Sequence, residues 1–464
     1  MVSKRPIRSS KHPIGSEHKL TIEKVVYQGW GLGFSDGKAI FVPHTLPGDE
    51  VDVTISRYQK RFCMGKVTHF HQSSTYRSES LCQHFPTCGG CQFMDVDYAK
   101  QCEIKQLVFH DSIRQFYPEI IEKVAPIIPS QVSTYYRNKM EFAFGSKEDS
   151  NGNAQLTLGL KKRGTFDQVV GLSDCLLMSP VANQIIAFTV SFFQKAGLTA
   201  WDTHTHQGDL RHLMVRHAKG PNHYMVNLIA SQDNSDLFLD YAQSLQAQFP
   251  QIVSLYKAIH EGPGEHTLAP PILILGEEAI YEQLGDFNFK ISPLSFFQTN
   301  SKQAEVLYEE IRRVLDPQKN ELLMDLYCGT GTIGMTLAPY VDSVIGIEEN
   351  PSAIRDALEN TQKNGCHNMT FHEGRVKNIL KFNSFGPDAV VVDPPRAGMV
   401  PKALRRMAEL QAKKLVYVSC NPTTLLRDLR DLSEHGYQVD TLVPVDMFPG
   451  TYHIEVVTRL SLRS

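Results

Sequence analysis

From Lys19 to about His71 the apolar positions come in short runs separated by turn residues. Leu20–Tyr27 alternates, Gly29-Trp30-Gly31-Leu32-Gly33 reads as a turn, and Ala39–Val42 extends. Leu46-Pro47-Gly48-Asp49 turns again, and Val51–Ile55 and Cys63–Thr68 extend. Short strands at this spacing predict a small OB-like β-barrel over residues 17–72, preceded by a polar, basic, disordered tail over 1–16. The middle of the chain, 73–285, is mixed. A helical stretch lies near 97–120, and strand-like pieces follow at Lys139–Phe144, Leu156–Leu160, Leu213–Arg216 and Tyr224–Ile229. This predicts a central α+β region whose first helix packs with the last domain. From about Ile291 the pattern changes. A helix near Ser301–Leu315 leads into apolar strands at Glu321–Leu326, Ser343–Ile347, Ala389–Val392 and Leu415–Val418, alternating with helical segments. Apolar strands alternating with helices predict an α/β fold with a doubly wound, Rossmann-like parallel sheet over 286–464.

A chain of 464 residues is too long for one core, which agrees with this division. No apolar run reaches the roughly 18 residues that a membrane helix needs. The N-terminus has no apolar segment of signal-peptide type, and nine cysteines spread unevenly argue against a secreted disulfide framework. A cytoplasmic monomer is expected. Net charge is −3, but residues 1–72 carry 11 Lys/Arg and 6 Asp/Glu, leaving the remainder acidic. A basic arm on an acidic body suits contact with phosphates through one part of the molecule. On the barrel, Tyr27, Trp30, Arg57, Tyr58, Lys60 and Arg61 would supply a stacking, basic face for single-stranded nucleic acid, with Trp30 as barrel core the alternative.

The run Leu322-Leu323-Met324-Asp325-Leu326-Tyr327-Cys328-Gly329-Thr330-Gly331 is a buried strand entering a glycine-rich turn before a helix. Ligands of doubly wound sheets bind beyond the carboxyl ends of the strands, where Gly329 and Gly331 let a bulky cofactor approach the backbone. The spacing is D-x-x-x-G-x-G, which does not match a dinucleotide fingerprint, and no phosphate-loop lysine is present. Glu348 ends the next strand, 17 residues after Gly331, where an acid accepts hydrogen bonds from ribose hydroxyls; Glu349 is its register rival. Together they point to an adenosine cofactor.

Strand Ala389–Val392 ends in Asp393-Pro394-Pro395-Arg396. Asp-Pro-Pro here resembles a motif of methyltransferases that act on bases, although those that methylate amino groups put an aromatic where Arg396 stands. Strand Leu415–Val418 ends in Ser419-Cys420-Asn421-Pro422, which sets Cys420 just before a helix whose dipole favours thiolate. A thiolate at this point has a use on uracil. Addition to C6 turns the poorly nucleophilic C5 into a carbanion that can attack an activated methyl group, and a base must then remove the C5 proton. On the last strand, His453-Ile454-Glu455-Val456-Val457, alternation sets His453 and Glu455 on one face. Glu455, with its pKa raised by burial, is the base, and His453 is the rival.

The run Phe296-Phe297-Gln298-Thr299-Asn300, with DLYCGTGTIG, DPPRAG, SCNPTT and HIEVV, resembles the RNA (uracil-5-)-methyltransferase family over nearly the whole chain, and the barrel resembles a TRAM domain. The resemblance implies S-adenosyl-L-methionine as cofactor, with Gln298, Tyr327, Glu348 and Asp393 at its site. It also implies Cys420 as nucleophile and Glu455 as base. Gln298 or Asp393 would also hydrogen-bond the uracil edge. Cys82-x5-Cys88-x2-Cys91 with a distant fourth cysteine resembles the family's [4Fe–4S] site; Cys175 is the first choice for the fourth, ahead of Cys102 and Cys63. Spacing alone also allows structural zinc. Barrel and cysteine cluster together favour a uridine of 23S ribosomal RNA as the substrate, with the T-loop uridine of tRNA as the alternative. Thr332 stands where some members carry Asn in a G-N-F sequence, so the uridine is left open. Arg137, Lys139, Lys161, Lys162, Arg163, Arg211 and Arg216 are candidates to line an RNA path, with a solvated surface charge the alternative reading of each taken alone. Two rivals are weaker. A radical enzyme would need a C-x3-C-x2-C spacing, and an RNA-binding protein with a dead catalytic domain would not keep Cys420, Asp393 and Glu455.

Overall fold

The computed structural model describes residues 12–264, 269–382 and 385–463, and among these described residues the strands form three large sheets and one hairpin. Residues 1–11 of the expected tail lie outside them. From Gly15 the chain is already tied to the barrel, because Gly15 N–H donates to Ile55 O at 2.8 Å.

The barrel sheet runs Glu17–Thr21, Glu50–Tyr58, Phe62–Gln72, Lys38–Pro43, Trp30–Ser35, Lys24–Val26 and closes around Leu20, Ile40, Val42, Val51, Val53 and Ile55. Two expectations fail here. Leu20–Tyr27 is two strands rather than one, and the glycine-rich run is strand Trp30–Ser35 rather than a turn. The reason is close packing. A Cβ at Gly31 would lie 2.0 Å from Thr45 Oγ1, and one at Gly33 would lie 2.9 Å from Thr21 O. Trp30 is half-buried, tilted against Phe41 at 6.4 Å.

The central sheet runs Pro271–Gly276, Ile252–Ile259, His223–Ala230, Leu210–Ala218, Lys139–Glu148, Ala154–Lys161, Val169–Gly171. Helices Pro180–Lys195 and Ser235–Gln248 pack on it and on each other.

The third sheet runs Met369–Glu373, Ser343–Glu348, Leu322–Leu326, Ala389–Val392, Lys414–Ser419, Glu455–Leu462, Tyr437–Val445. Its first five strands are parallel, but Glu455–Leu462 lies antiparallel to both its neighbours, so the sheet is not wholly parallel as expected. The link from Val445 to Glu455 carries no helix, and a short connection can only reverse direction. Hairpin Ile280–Leu284/Phe287–Ile291 gives Ile280, Leu284, Phe289 and Ile291 to the core of this sheet, so the expected division at 285/286 falls at the hairpin's turn.

Helix Tyr98–Phe116 packs against helix Pro422–Glu434 and pins the link that precedes Glu455. Lys105 Nζ donates to Asp446 Oδ1 at 2.6 Å, Phe448 N–H donates to the same oxygen at 3.0 Å, and Tyr98 Oη donates to Oδ2 at 3.1 Å. Both charges are buried, at 1% and 0% side-chain exposure. Lys105→Met is therefore expected to destabilise the protein by about 3–5 kcal/mol, since it strands a buried carboxylate. Urea unfolding with an unchanged midpoint would contradict this. No helix among the described residues is long and apolar enough to cross a membrane.

Candidate active site

At the carboxyl end of strand Leu322–Leu326 the chain bends sharply: Tyr327, Gly329 and Gly331 have φ of 63°, 57° and 80°. Asp325, fully buried, holds this turn to the following helix Thr332–Leu337, its Oδ2 accepting Gly334 N–H at 2.9 Å. Its Oδ1 has no partner, and burial, reinforced by Asp393 and Glu348, lifts its pKa to about 7. The sequence reading used Asp325 as spacing and gave it no role. At the end of the neighbouring strand, Glu348 accepts Gly329 N–H at 3.2 Å and Asn350 N–H at 2.8 Å, which sets a carboxylate beside the glycine turn. A Cβ added at Gly329 would meet nothing within 4 Å. Open backbone at the turn and a carboxylate at the adjoining strand end are the two features an adenosine moiety requires.

Gln298 is buried, and its backbone oxygen accepts from Asn138 Nδ2 at 2.8 Å. Asn138 also donates its N–H to Thr299 O at 2.7 Å. The sequence carried no signal for Asn138, which lies on a different sheet's approach and meets Gln298 only through the fold.

The two loops that follow strands Ala389–Val392 and Lys414–Ser419 are stitched together. Asn421 Nδ2 donates to Arg396 O at 3.0 Å, and Thr424 Oγ1 to the same oxygen at 3.3 Å. Asn421 caps helix Pro422–Glu434, its Oδ1 accepting Thr423 N–H at 3.1 Å. Cys420 thus lies between Asp393-Pro394-Pro395-Arg396 and Glu455, the first residue of its strand. Burial, then Glu455 and Asp393, push the Cys420 thiol up to about 12. This corrects the expectation of a helix-stabilised thiolate. Two carboxylates and loss of water outweigh the dipole, so the resting sulfur is protonated. Asp393 is lifted to about 7 by burial, and Glu455 is held well above the ordinary carboxylate range by burial and by Asp393, against the opposing pull of Arg396.

His453 lies before the strand, in the link, so strand alternation does not apply to it. Its Nε2 is 3.4 Å from Arg396 Nη2, and burial with Arg396 and other cations lowers its pKa to about 3. A group so weakly basic is a poor proton acceptor beside Glu455.

Cys82, Cys88, Cys91 and Cys175 line one small cavity with Phe85, Met94, Leu160, Leu172 and Leu177. Arg163 clasps its rim by donating to Cys88 O at 3.1 Å and to Cys91 O. Burial raises the thiols of Cys88, Cys91 and Cys175. Cys102 points instead towards Asp446, and Cys63 is in the barrel core. No three His, Cys, Asp or Glu side chains among the described residues are gathered closely enough to hold a metal ion.

Of the basic residues considered for an RNA path, Arg163 is spent on the cysteine cavity, and two more are buried and structural. Arg216 is 2% exposed and donates to Pro293 O and Ser295 O. Arg211, equally buried, donates to His260, Gly262 and Gly264 carbonyls and lies over Trp201 at 4.1 Å. Their carbonyl partners satisfy the desolvated guanidinium and leave little of it for phosphate.

A sheet ending in a glycine turn, a strand-end acid and Asp-Pro-Pro is the frame of an α/β methyltransferase, and comparison with known proteins agrees. The tRNA (Uracil-5-)-methyltransferase family matches residues 273–463, and the TRAM domain matches residues 12–68. An uncharacterized RNA methyltransferase of Clostridium tetani is 34% identical over 96% of this chain and 98% of its own. One of Bacteroides thetaiotaomicron is 33% identical over 94% and 99%. The crystal structure of Pyrococcus abyssi tRNA (uracil-54, C5)-methyltransferase in complex with S-adenosyl-L-homocysteine is 27% identical, with a TM-score of 0.77, covering 95% of this chain and 99% of that one. The chain belongs with these RNA methyltransferases; its C-terminal part matches the tRNA (uracil-5-)-methyltransferase family, and it carries an N-terminal TRAM domain.

Proposed function

We propose that this protein transfers a methyl group from S-adenosyl-L-methionine to C5 of a uridine in RNA through a covalent adduct between Cys420 and uracil C6. The observation that carries this reading is the strand order, which brings the Cys420 thiol and the Asp393 and Glu455 carboxylates together at one end of the sheet, beside the glycine turn. Gln298, Tyr327, Gly329, Gly331, Glu348 and Asp393 would hold the cofactor, which when bound supplies an electrophilic methyl group on a sulfonium. The Cys420 thiol gives its proton to Asp393 and its sulfur adds to C6, while the C5–C6 π pair moves to C5. Once C5 carries the methyl group, Glu455 as carboxylate takes the C5 proton. The C6–S bond then breaks, and its electrons return to sulfur.

The chain reads as a barrel over 17–72, a central unit over 73–285 and a catalytic unit over 286–464, with the hairpin strand Ile280–Leu284 going to the catalytic core. The central unit would carry a [4Fe–4S] cluster on Cys82, Cys88, Cys91 and Cys175. Support comes from the four cysteines that line one small, largely apolar cavity. No step of the reaction needs it.

Ribosomal RNA is the substrate we favour, on the combination of barrel and cysteine set. The second reading, tRNA, is favoured by the Pyrococcus abyssi relative, which is named for tRNA uracil-54 and is similar along nearly the whole chain. Incubating the protein with labelled methyl donor and either RNA, followed by nucleoside analysis, should give 5-methyluridine from rRNA. Label appearing only in tRNA would move the substrate, and label in any other nucleoside would end the reading. Protein purified without oxygen should be brown and contain iron; colourless protein with stoichiometric zinc would replace the cluster.

A further inference from the structure

The barrel does not stand apart from the catalytic cleft. Its turn at Tyr27-Gln28-Gly29 is seated on the link that carries Tyr452 and His453. Gln28 and Gly29 have φ of 76° and 73°, and a Cβ at Gly29 would lie 3.2 Å from Tyr452 Cβ. Gln92 fastens the same place, its N–H donating to Gly450 O at 2.8 Å and its Oε1 accepting Tyr452 N–H at 3.3 Å. Val25, Tyr27 and Gly29 of the barrel share one cavity wall with Pro422, Tyr452 and Ile454, which flank Cys420 and Glu455.

The aromatic rings here form a chain. Tyr27 meets Tyr452 edge-on at 5.6 Å, Tyr452 lies over His453 at 4.1 Å, and His453 meets Phe448 edge-on at 5.9 Å. All four are half-buried, so each keeps some ring surface uncovered. Arg396 adjoins the row at His453. Rings partly open to solvent beside a guanidinium are what an unpaired nucleobase stacks on. Burial, Tyr452 and Cys420 push the Tyr27 hydroxyl up to about 12, so the ring is neutral at the pH of the reaction.

We infer that Tyr27 is a positioning residue of the methyltransferase site: with Tyr452 it forms a stacking wall for a nucleobase next to the target uridine, so that the barrel completes the catalytic cleft. This rests on the reading of the chain as an RNA uracil methyltransferase. Its consequence is specificity: the barrel selects RNA in which the target's neighbour is also unstacked.

The test is a binding cycle with the full-length protein and the RNA fragment that yields label in the nucleoside assay. Each nucleotide flanking the target is replaced in turn by an abasic residue. Tyr27→Ala should weaken RNA binding about 5- to 150-fold, the range spanned by one base on one ring, and raise KM while leaving kcat within about twofold. Tyr27→Phe should bind like wild type, which a role for the hydroxyl would not allow. At one flanking position the abasic RNA should bind wild type as weakly as intact RNA binds Tyr27→Ala, with no further loss when both changes are combined. If every abasic substitution weakens both proteins by the same factor, Tyr27 serves only to dock the barrel and the inference is wrong. The two readings fail differently: absence of label from every RNA strikes the functional reading, whereas label with equal abasic losses in both proteins strikes this inference alone.

Discussion

Cys420→Ser abolishes 5-methyluridine formation, by at least about 10⁴-fold in kcat, while the protein still folds and binds RNA. Serine keeps the hydrogen-bonding shape of the position but not the polarisable sulfur that can add to C6. The pH dependence of the wild type carries the same information. The thiol is held up to about 12, so thiolate must be generated during the reaction. A raised pKa keeps the proton on sulfur at lower pH, and the sign follows: adduct formation climbs as pH rises. It should climb through about 7, where Asp393 ionises and can accept the thiol proton. In Asp393→Asn the climb should move into the alkaline range. A serine variant that modifies RNA at the normal rate, or a flat profile between pH 6 and 9, would contradict this assignment.

Glu455→Gln is expected to stop the reaction one step later. Proton abstraction by a positioned carboxylate contributes about 10²- to 10⁴-fold, so turnover should fall by that range. Because C5 has already received its methyl group, protein should accumulate covalently bound to methylated RNA. Glutamine keeps the volume of the buried side chain at 5% exposure, so folding is spared. Turnover like wild type would hand the proton to another group. His453 is the alternative, though its Nε2 faces Arg396 and its pKa near 3 argues against it.

Much of the catalytic unit was legible in the sequence because its signals are local. Ala389–Val392 is a fully buried run of four apolar residues, and a parallel strand covered on both faces reads that way. The glycine turn, the acid at the next strand end and the cysteine before Pro422 were legible for the same reason. Each is a short segment whose position on a strand fixes where it points. What failed depends on contacts between distant segments. Gly31 and Gly33 looked like a turn, and only the approach of Thr45 and Thr21 explains them as strand residues. The antiparallel last strand follows from a link without a helix, while the sequence showed only another apolar run. The thiolate expected at Cys420 failed because the helix dipole was read from sequence but the burial and the two carboxylates were not. Arg211 and Arg216 looked like RNA contacts because a charged residue in sequence carries no sign of the carbonyls that the fold brings to it.

The most direct measurement of the central claim uses RNA in which the target uridine is replaced by 5-fluorouridine. Fluorine cannot leave C5 as a proton does, so the methylated adduct should be trapped. Mass spectrometry of the digested complex should find one cross-linked peptide, containing Cys420, with its mass increased by the methylated fluoronucleotide. RNA released free of protein, or a cross-link on any other side chain, would contradict the account.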